Sequence, residues 1–96
     1  MSDFEFRDLG NGRFELSGAM SFVTADRILR ESAGPFRQHN DIEIDFSGVT
    51  DADSAGLALL IEWKGWCGDR DANIRFDALP RSITAIARMT DVEHLI

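Results

Sequence analysis

Apolar and polar residues alternate one by one in four short segments of the chain. The apolar positions are Phe4 and Phe6, then Phe14 and Leu16, then Ile42, Ile44 and Phe46, and finally Ile74 and Phe76. Successive side chains of a β-strand point to opposite faces of its sheet, so the pattern predicts strands that each bury one face. Charged residues of both signs stand between the apolar ones. The exposed face of the sheet is therefore expected to carry a mixed ladder of charges.

The stretches between these strands predict one hairpin and three helices. Gly10-Asn11-Gly12 joins the first two strands and is typical of a tight hairpin turn. Strands that are joined through helices run parallel with right-handed crossovers. The predicted fold is therefore α/β, with a mixed, mostly parallel four-stranded sheet that opens with a hairpin and carries its helices mainly on one face.

The ends of the helices carry recognisable signals. The first helix is predicted to begin at Thr24 as N-cap, with Val23 and Ile28 spaced for a hydrophobic staple. Gly34-Pro35 is expected to stop this helix. The other helices are predicted from Ser54 to about Cys67, with Gly68 as terminator, and from near Pro80 onward, followed by a short final turn that packs Val92, Leu95 or Ile96 onto the body.

The composition is that of one domain over residues 1–96, because a chain of this length has room for a single core. The net charge of −7 repels polyanions and anionic membrane surfaces, and the ten Lys and Arg residues form no basic stripe. Nucleic acid is therefore not an expected ligand. Direct membrane insertion is not expected either, because the longest apolar run, Leu57 to Ile61, is too short for a bilayer. The lone Cys67 and the lack of a signal-peptide pattern predict a cytoplasmic protein.

The segment from Ile44 to Leu57 is the most unusual part of the chain. In it a predicted strand ends, a polar turn follows, and a helix is predicted to start at Ser54. The hydroxyl of Ser54 is therefore placed to accept a hydrogen bond from an unpaired N–H group in the first helical turn. Ser54 can be interpreted as a structural N-cap or as a residue with a chemical role, such as the nucleophile of a hydrolase.

Catalytic and metal-binding roles receive little support from this segment. Asp45, Asp51 and Asp53 do not have the spacing of a calcium loop. Hydrolysis at Ser54 would need a general base, and the chain has only two histidines and no nucleophile-elbow motif. We therefore expect no enzymatic activity, no cofactor and no metal ion.

The same segment resembles the signature of a known family. Asp45-Phe46-Ser47-Gly48-Val49 followed by Asp53-Ser54-Ala55-Gly56-Leu57 is similar to the motif of STAS domains, the fold of anti-sigma factor antagonists. The resemblance runs from about Arg13 to Leu95 and includes the predicted order of elements. It implies a STAS fold that acts as a protein-binding module. In the sporulation-type antagonists the serine that matches Ser54 is the phosphorylated switch.

Two downstream segments resemble one branch of this family in particular. Leu60-Ile61-Glu62-Trp63 and Leu79-Pro80-Arg81 to Ile86-Ala87-Arg88 are similar to the small STAS component of Mla-type ABC transporters, which move phospholipids between the membranes of Gram-negative bacteria. This resemblance implies a regulatory or stabilising subunit that binds the transporter's ATPase and reaches the inner membrane only through that partner. The alternative is a phosphorylation-controlled anti-sigma factor antagonist whose partner is an anti-sigma factor kinase.

The second predicted helix has apolar residues on more than one face. The face that includes Leu57 and Leu60 is the natural core stripe. Leu59, Trp63 and Trp66 form another stripe, and a small core is not expected to hide two tryptophans. A partly exposed aromatic patch is typical of a docking surface. The predicted partner-binding residues are Asp53, Ser54, Ala55, Leu59, Trp63 and Trp66.

Overall fold

The computed structural model describes residues 3–96, so the first two positions of the predicted domain lie outside it. The elements are β1 (Phe4–Gly10), β2 (Arg13–Met20), α1 (Ala25–Arg37), β3 (Asp41–Ala52), α2 (Ser54–Asp69), β4 (Asn73–Asp77), α3 (Arg81–Met89) and a 3₁₀ turn (Glu93–Leu95). Their order along the chain is the predicted one. The strands form one sheet with the order β1-β2-β3-β4.

The sheet opens with the predicted hairpin. β1 and β2 are antiparallel, whereas β2, β3 and β4 run parallel to one another. Asn11 and Gly12 form the two-residue turn and have φ angles of 58° and 79°. A tight hairpin turn that matches the twist of its strands requires positive φ at both positions, which these two residue types tolerate best. The α/β fold class and the hairpin connection are confirmed.

The two faces of the sheet differ as the alternation predicts. Arg7 donates to Glu15 at 2.9 Å on the outer face, and Glu43 is paired with both Arg13, at 3.9 Å, and Arg75. Each such exposed ion pair contributes no more than about 1 kcal/mol to folding. The main stabilisation is therefore expected from the apolar core between the inner face and the helices. The buried apolar side chains on the strands are Phe4, Phe14, Leu16, Met20, Ile42, Ile44, Phe46 and Ile74.

The helix α2 occupies the centre of the helical layer. It packs against α1 on one side, α3 on the other and β4 below. Side chains on several of its faces are therefore buried, and Leu59 and Trp63 are 3% and 0% exposed. The prediction that these two residues lie in an exposed stripe is wrong. The apolar residues on more than one face of α2 reflect three neighbouring elements and not a free docking surface.

Trp63 fits into the core because α1 supplies a small polar partner for it. The indole N–H of Trp63 donates to the hydroxyl of Ser32 at 2.8 Å, and Ser32 in turn donates to the carbonyl of Leu29. The indole also packs against the ring of Phe36, with centroids 5.4 Å apart. A buried tryptophan needs a partner for its N–H group, and here it has one.

The helix α1 continues past the expected stop at Gly34-Pro35 and ends at Arg37. Proline removes one N–H donor from a helix, but here only two helical residues follow it. Phe36 in that last turn is 2% exposed and packs on Phe14 with ring centroids 5.0 Å apart. The guanidinium of Arg70 also donates to the carbonyl of Phe36, at 2.5 Å. Tertiary contacts thus hold the last turn in place.

The other helix ends lie close to their predicted positions. The helix α2 ends at Asp69, one residue beyond the predicted terminator, and Pro80 is the N-cap of α3 instead of its first residue. In the final turn, Val92 and Ile96 pack against the core while Leu95 stays 42% exposed.

Cys67 is a buried free cysteine, as predicted. Burial raises the pKa of its thiol, and the positive charges of Arg70 and Lys64 oppose that shift. A buried thiol with a raised pKa is chemically inert at neutral pH.

Candidate functional site

The start of α2 is organised by the carboxylate of Asp53. This residue has extended backbone angles, φ −138° and ψ −167°, and its Oδ1 accepts a hydrogen bond from the N–H of Ala55 at 2.9 Å. Asp53 is therefore the N-cap, and Ser54 is the first residue of the helix. The interpretation of Ser54 as the structural cap is wrong by one position. Both residue types cap helices well, and the negative charge of Asp53 also suits the positive end of the helix dipole.

Ser54 is exposed to solvent at the first position of α2. Between residues 3 and 96, no side-chain hydrogen bond involves its hydroxyl group. The hydroxyl is therefore accessible to a partner or a modifying enzyme, whereas Asp53 and Ala55 beside it are half-buried.

The other oxygen of Asp53 joins α2 to the loop between β2 and α1. Its Oδ2 accepts a hydrogen bond from the N–H of Phe22 at 3.1 Å. Thr24, at the other end of the same loop, is buried and fixes the loop backbone. Its hydroxyl accepts a hydrogen bond from the N–H of Ser21 at 3.0 Å and donates one to the carbonyl of Ala19 at 2.9 Å. The loop and the start of α2 therefore form one hydrogen-bonded unit.

Two large apolar side chains project from this loop. Phe22 is 85% exposed and Val23 is 72% exposed. The predicted staple between Val23 and Ile28 is therefore wrong, because Ile28 lies fully inside the core while Val23 is in solvent. Sequence reasoning missed Phe22 altogether. The available signal was a pair of apolar residues between Ser21 and Thr24 that belongs to no strand or helix period.

Trp66 lies apart from this unit. It is twelve residues beyond Ser54, which corresponds to about 18 Å along the axis of α2. Its indole is half-buried, and its N–H donates to Glu62 at 3.2 Å. It borders a shallow pocket of about 280 Å³ that also includes Arg37 and Arg70. Between Ser54 and Trp66, Leu59 and Trp63 of the predicted stripe are buried, whereas Ala58 and Glu62 are exposed.

A shallow groove of about 240 Å³ runs between α1 and α2 beside Ser54. Its apolar lining consists of Ala25, Leu29, Ala55, Ala58 and Leu59, and the acidic residues Asp26 and Glu62 also border it. Within the described range 3–96, no group of three or more His, Cys, Asp or Glu side chains could hold a metal ion. Ser54 therefore stands exposed beside this groove, at the start of a helix that Asp53 joins to the β2–α1 loop.

The sequence matches a known protein family. The family model described as "Mlab, STAS domain" matches residues 7–96. The chain belongs to this family. No curated protein matches the chain. Of the helices within residues 3–96, none has the length and hydropathy that crossing a membrane requires.

Solved structures with the same fold include two STAS-type proteins. The anti-sigma factor antagonist SpoIIAA in its unphosphorylated form aligns with a TM-score of 0.71 and 9% sequence identity, over 96% of this chain and 84% of that one. A sulfate transporter family protein from Wolinella succinogenes aligns with a TM-score of 0.67 and 18% identity, over 94% of this chain and 76% of that one. At these identities the similarity establishes the fold alone, which is the STAS fold.

Proposed function

We propose that this STAS domain is a non-catalytic subunit of a phospholipid-transport ABC system and that it binds the system's cytoplasmic ATPase. The observation that carries the proposal is the match of the Mlab family model to residues 7–96. The bound domain would stabilise the ATPase and so support the lipid asymmetry of the outer membrane. The proposed contact surface includes Asp53, Ser54 and Ala55, with Trp66 as a separate contact farther along α2.

The chemistry of the surface supports a binding role over a catalytic one. Both oxygens of the Asp53 carboxylate accept backbone N–H groups, so this side chain already has a structural role in joining α2 to the β2–α1 loop. His39 lies just before β3 and packs edge-on against Phe14, and His94 lies in the terminal 3₁₀ turn, so neither is an evident base for Ser54. Among residues 3–96, Ser54 thus has an exposed hydroxyl and no hydrogen-bonded group that would activate it.

Purification of the tagged domain from its native cells tests the partner. We expect an ABC ATPase subunit to co-purify in stoichiometric amount, because the family match and the exposed site both favour a stable protein complex. Deletion of the gene is expected to weaken the outer-membrane barrier, measured as increased sensitivity to detergent. Recovery of a kinase that regulates a sigma factor, without the ATPase, would contradict this proposal.

That second outcome would support a phosphorylation-controlled anti-sigma factor antagonist. The specific observation in its favour is the accessible hydroxyl of Ser54 at the first position of α2. A phosphoryl group there would meet the positive end of the helix dipole, although the charge of Asp53 lies next to it. Incubation with the co-purified kinase and ATP, followed by mass spectrometry of the Ser54 peptide, decides between the two candidates.

Substitutions at Ser54 and Asp53 separate stability from binding. Ser54→Ala is expected to change the free energy of unfolding by less than about 0.5 kcal/mol, because Ser54 is not the cap. Asp53→Ala is expected to cost about 1 kcal/mol, the usual value of a lost N-cap. Ser54→Asp is expected to fold normally but to bind the partner at least tenfold more weakly, or about 1.4 kcal/mol, because the partner must desolvate the new charge.

Urea unfolding and isothermal calorimetry on the same preparations provide both measurements. Ser54→Asn is the matched control, since it has nearly the size of aspartate without the charge. It is expected to bind within about threefold of the wild-type domain, a change of roughly 0.6 kcal/mol. Equal affinities of the wild type and Ser54→Asp would place the contact surface elsewhere.

A further inference from the structure

The loop between β2 and α1 carries two adjacent apolar side chains that are exposed to solvent. Phe22 and Val23, which we call the knob, are consecutive, and they are 85% and 72% exposed. The other exposed large apolar side chains, Leu9, Met89 and Leu95, stand singly along the chain. Scattered apolar residues are normal on a protein surface, whereas an adjacent pair held in solvent is a feature of interaction sites.

The knob is presented by a rigid backbone. The N–H of Phe22 is bonded to Asp53, and the residues on either side of the knob, Ser21 and Thr24, are buried and bonded to each other. A side chain on a loop fixed in this way loses little conformational freedom when it enters a pocket of a partner. The hydrogen bonds thus hold the knob out in solvent instead of letting it fold back onto the core.

The surroundings of the knob are acidic. Between residues 3 and 96, no arginine or lysine lies within ion-pair distance of Asp51 or Asp53. Asp51 borders the same surface depression as Val23, and Asp53 binds the loop itself. Asp3 also borders this depression and is paired there with Arg27 at 3.2 Å. An apolar centre with an acidic border is complementary to an apolar surface with basic residues around it.

We propose that the knob is the anchor by which this domain holds its partner, and that the contacting segment of the partner is apolar at its centre and flanked by lysine or arginine. This inference rests on the proposed function. The contacting segment would belong to the ATPase subunit that the proposed function names as the partner. A two-fold contact between two copies would place the acidic borders against each other. An anionic lipid surface would be repelled by the same carboxylates, so charge favours a basic protein segment over both.

Binding of the purified ATPase subunit to the full domain tests the knob. Phe22→Ser is expected to weaken binding by at least about 30-fold, the scale of an interface hot spot. Its melting temperature is expected to match that of the wild type, because the side chain is already in solvent. Met89→Ser is the matched control: it removes an 82% exposed apolar side chain from α3 and is expected to leave the affinity unchanged.

Changes in salt concentration and charge-removing variants test whether basic residues flank the contacting segment of the partner. The affinity of the wild type is expected to fall as ionic strength rises, because salt screens the attraction between opposite charges. The variant Asp51→Asn is expected to bind more weakly and with less salt dependence. Glu5→Gln removes the same amount of charge from the outer face of the sheet and is expected to behave as the wild type.

Each outcome supports or overturns the inference. If the ATPase binds the wild type and Phe22→Ser equally, the knob is not the anchor, while the proposed function stands. If the ATPase does not bind the wild type at all, the proposed function fails, and the inference fails with it. A wild-type dimer that Phe22→Ser dissociates in sedimentation, or flotation of the domain with phosphatidylglycerol vesicles that Phe22→Ser abolishes, would show that another occupant covers the knob.

Discussion

Replacement of Trp63 by alanine is expected to destabilise the domain by about 3–5 kcal/mol, as for other fully buried tryptophans. The indole is 0% exposed and packs among the rings of Phe36, Phe46 and Phe76. Its loss would leave a cavity and remove the N–H that bonds Ser32. Natural domains are stable by only about 5–15 kcal/mol, so this one change removes a large share of the total. Urea unfolding at equilibrium measures the difference.

Two further variants make this prediction specific. Trp63→Phe keeps most of the apolar volume, so it is expected to destabilise the domain clearly less than Trp63→Ala. Trp66→Ala is expected to cost less than about 2 kcal/mol, because the half-buried indole gives up less area and fewer contacts. If Trp63→Ala and Trp66→Ala unfold at the same urea concentration, the assignment of Trp63 to the core is wrong.

Gly56→Ala is expected to destabilise the domain by roughly 1–3 kcal/mol, although the same change usually strengthens a helix. A Cβ at position 56 would lie 2.8 Å from the carbonyl oxygen of Met20 and 3.0 Å from the Cδ1 of Ile83. The first of these is a backbone atom in β2 and cannot move aside easily. The glycine therefore lets α2 approach the sheet closely at its first turn.

Gly65→Ala is the matched control on the same helix. No atom lies within 4 Å of the position that its Cβ would take. The substitution is therefore expected to stabilise the domain by up to about 1 kcal/mol through helix propensity alone. Thermal unfolding of both variants reports the sign of each effect, and stabilisation by Gly56→Ala would show that α2 and β2 are not in close contact there.

The strands and the hairpin could be predicted because their signals are local. The alternation of apolar and polar residues in each strand shows which side chains share a face of the sheet, and this does not depend on the rest of the chain. The turn at Asn11 and Gly12 is equally local, since both residues tolerate the positive φ that the turn requires. The mixed charges on the outer face follow from the same alternation.

The start of α2 could be predicted only in part. Asp53 and Ser54 are both good N-caps, so local preference does not choose between them. The backbone of Asp53 is extended, and its second carboxylate oxygen binds Phe22, a residue from 31 positions earlier in the chain. That contact makes Asp53 the cap and leaves Ser54 exposed. The choice depends on the β2–α1 loop, which a local reading of the segment does not include.

The pattern along the chain determined the elements, their order and the fold class, because each strand and helix carries its own period and end signals. The tertiary structure decided which apolar residues are covered. The indole of Trp63 can be buried because Ser32, 31 positions away in the chain, accepts a hydrogen bond from its N–H group. Phe22 and Val23 stay in solvent because hydrogen bonds to the buried Thr24 and to the carboxylate of Asp53 fix their loop. A hydrophobic period states that a face is apolar, but only the packed neighbours determine whether that face lies in the core or remains free for a partner.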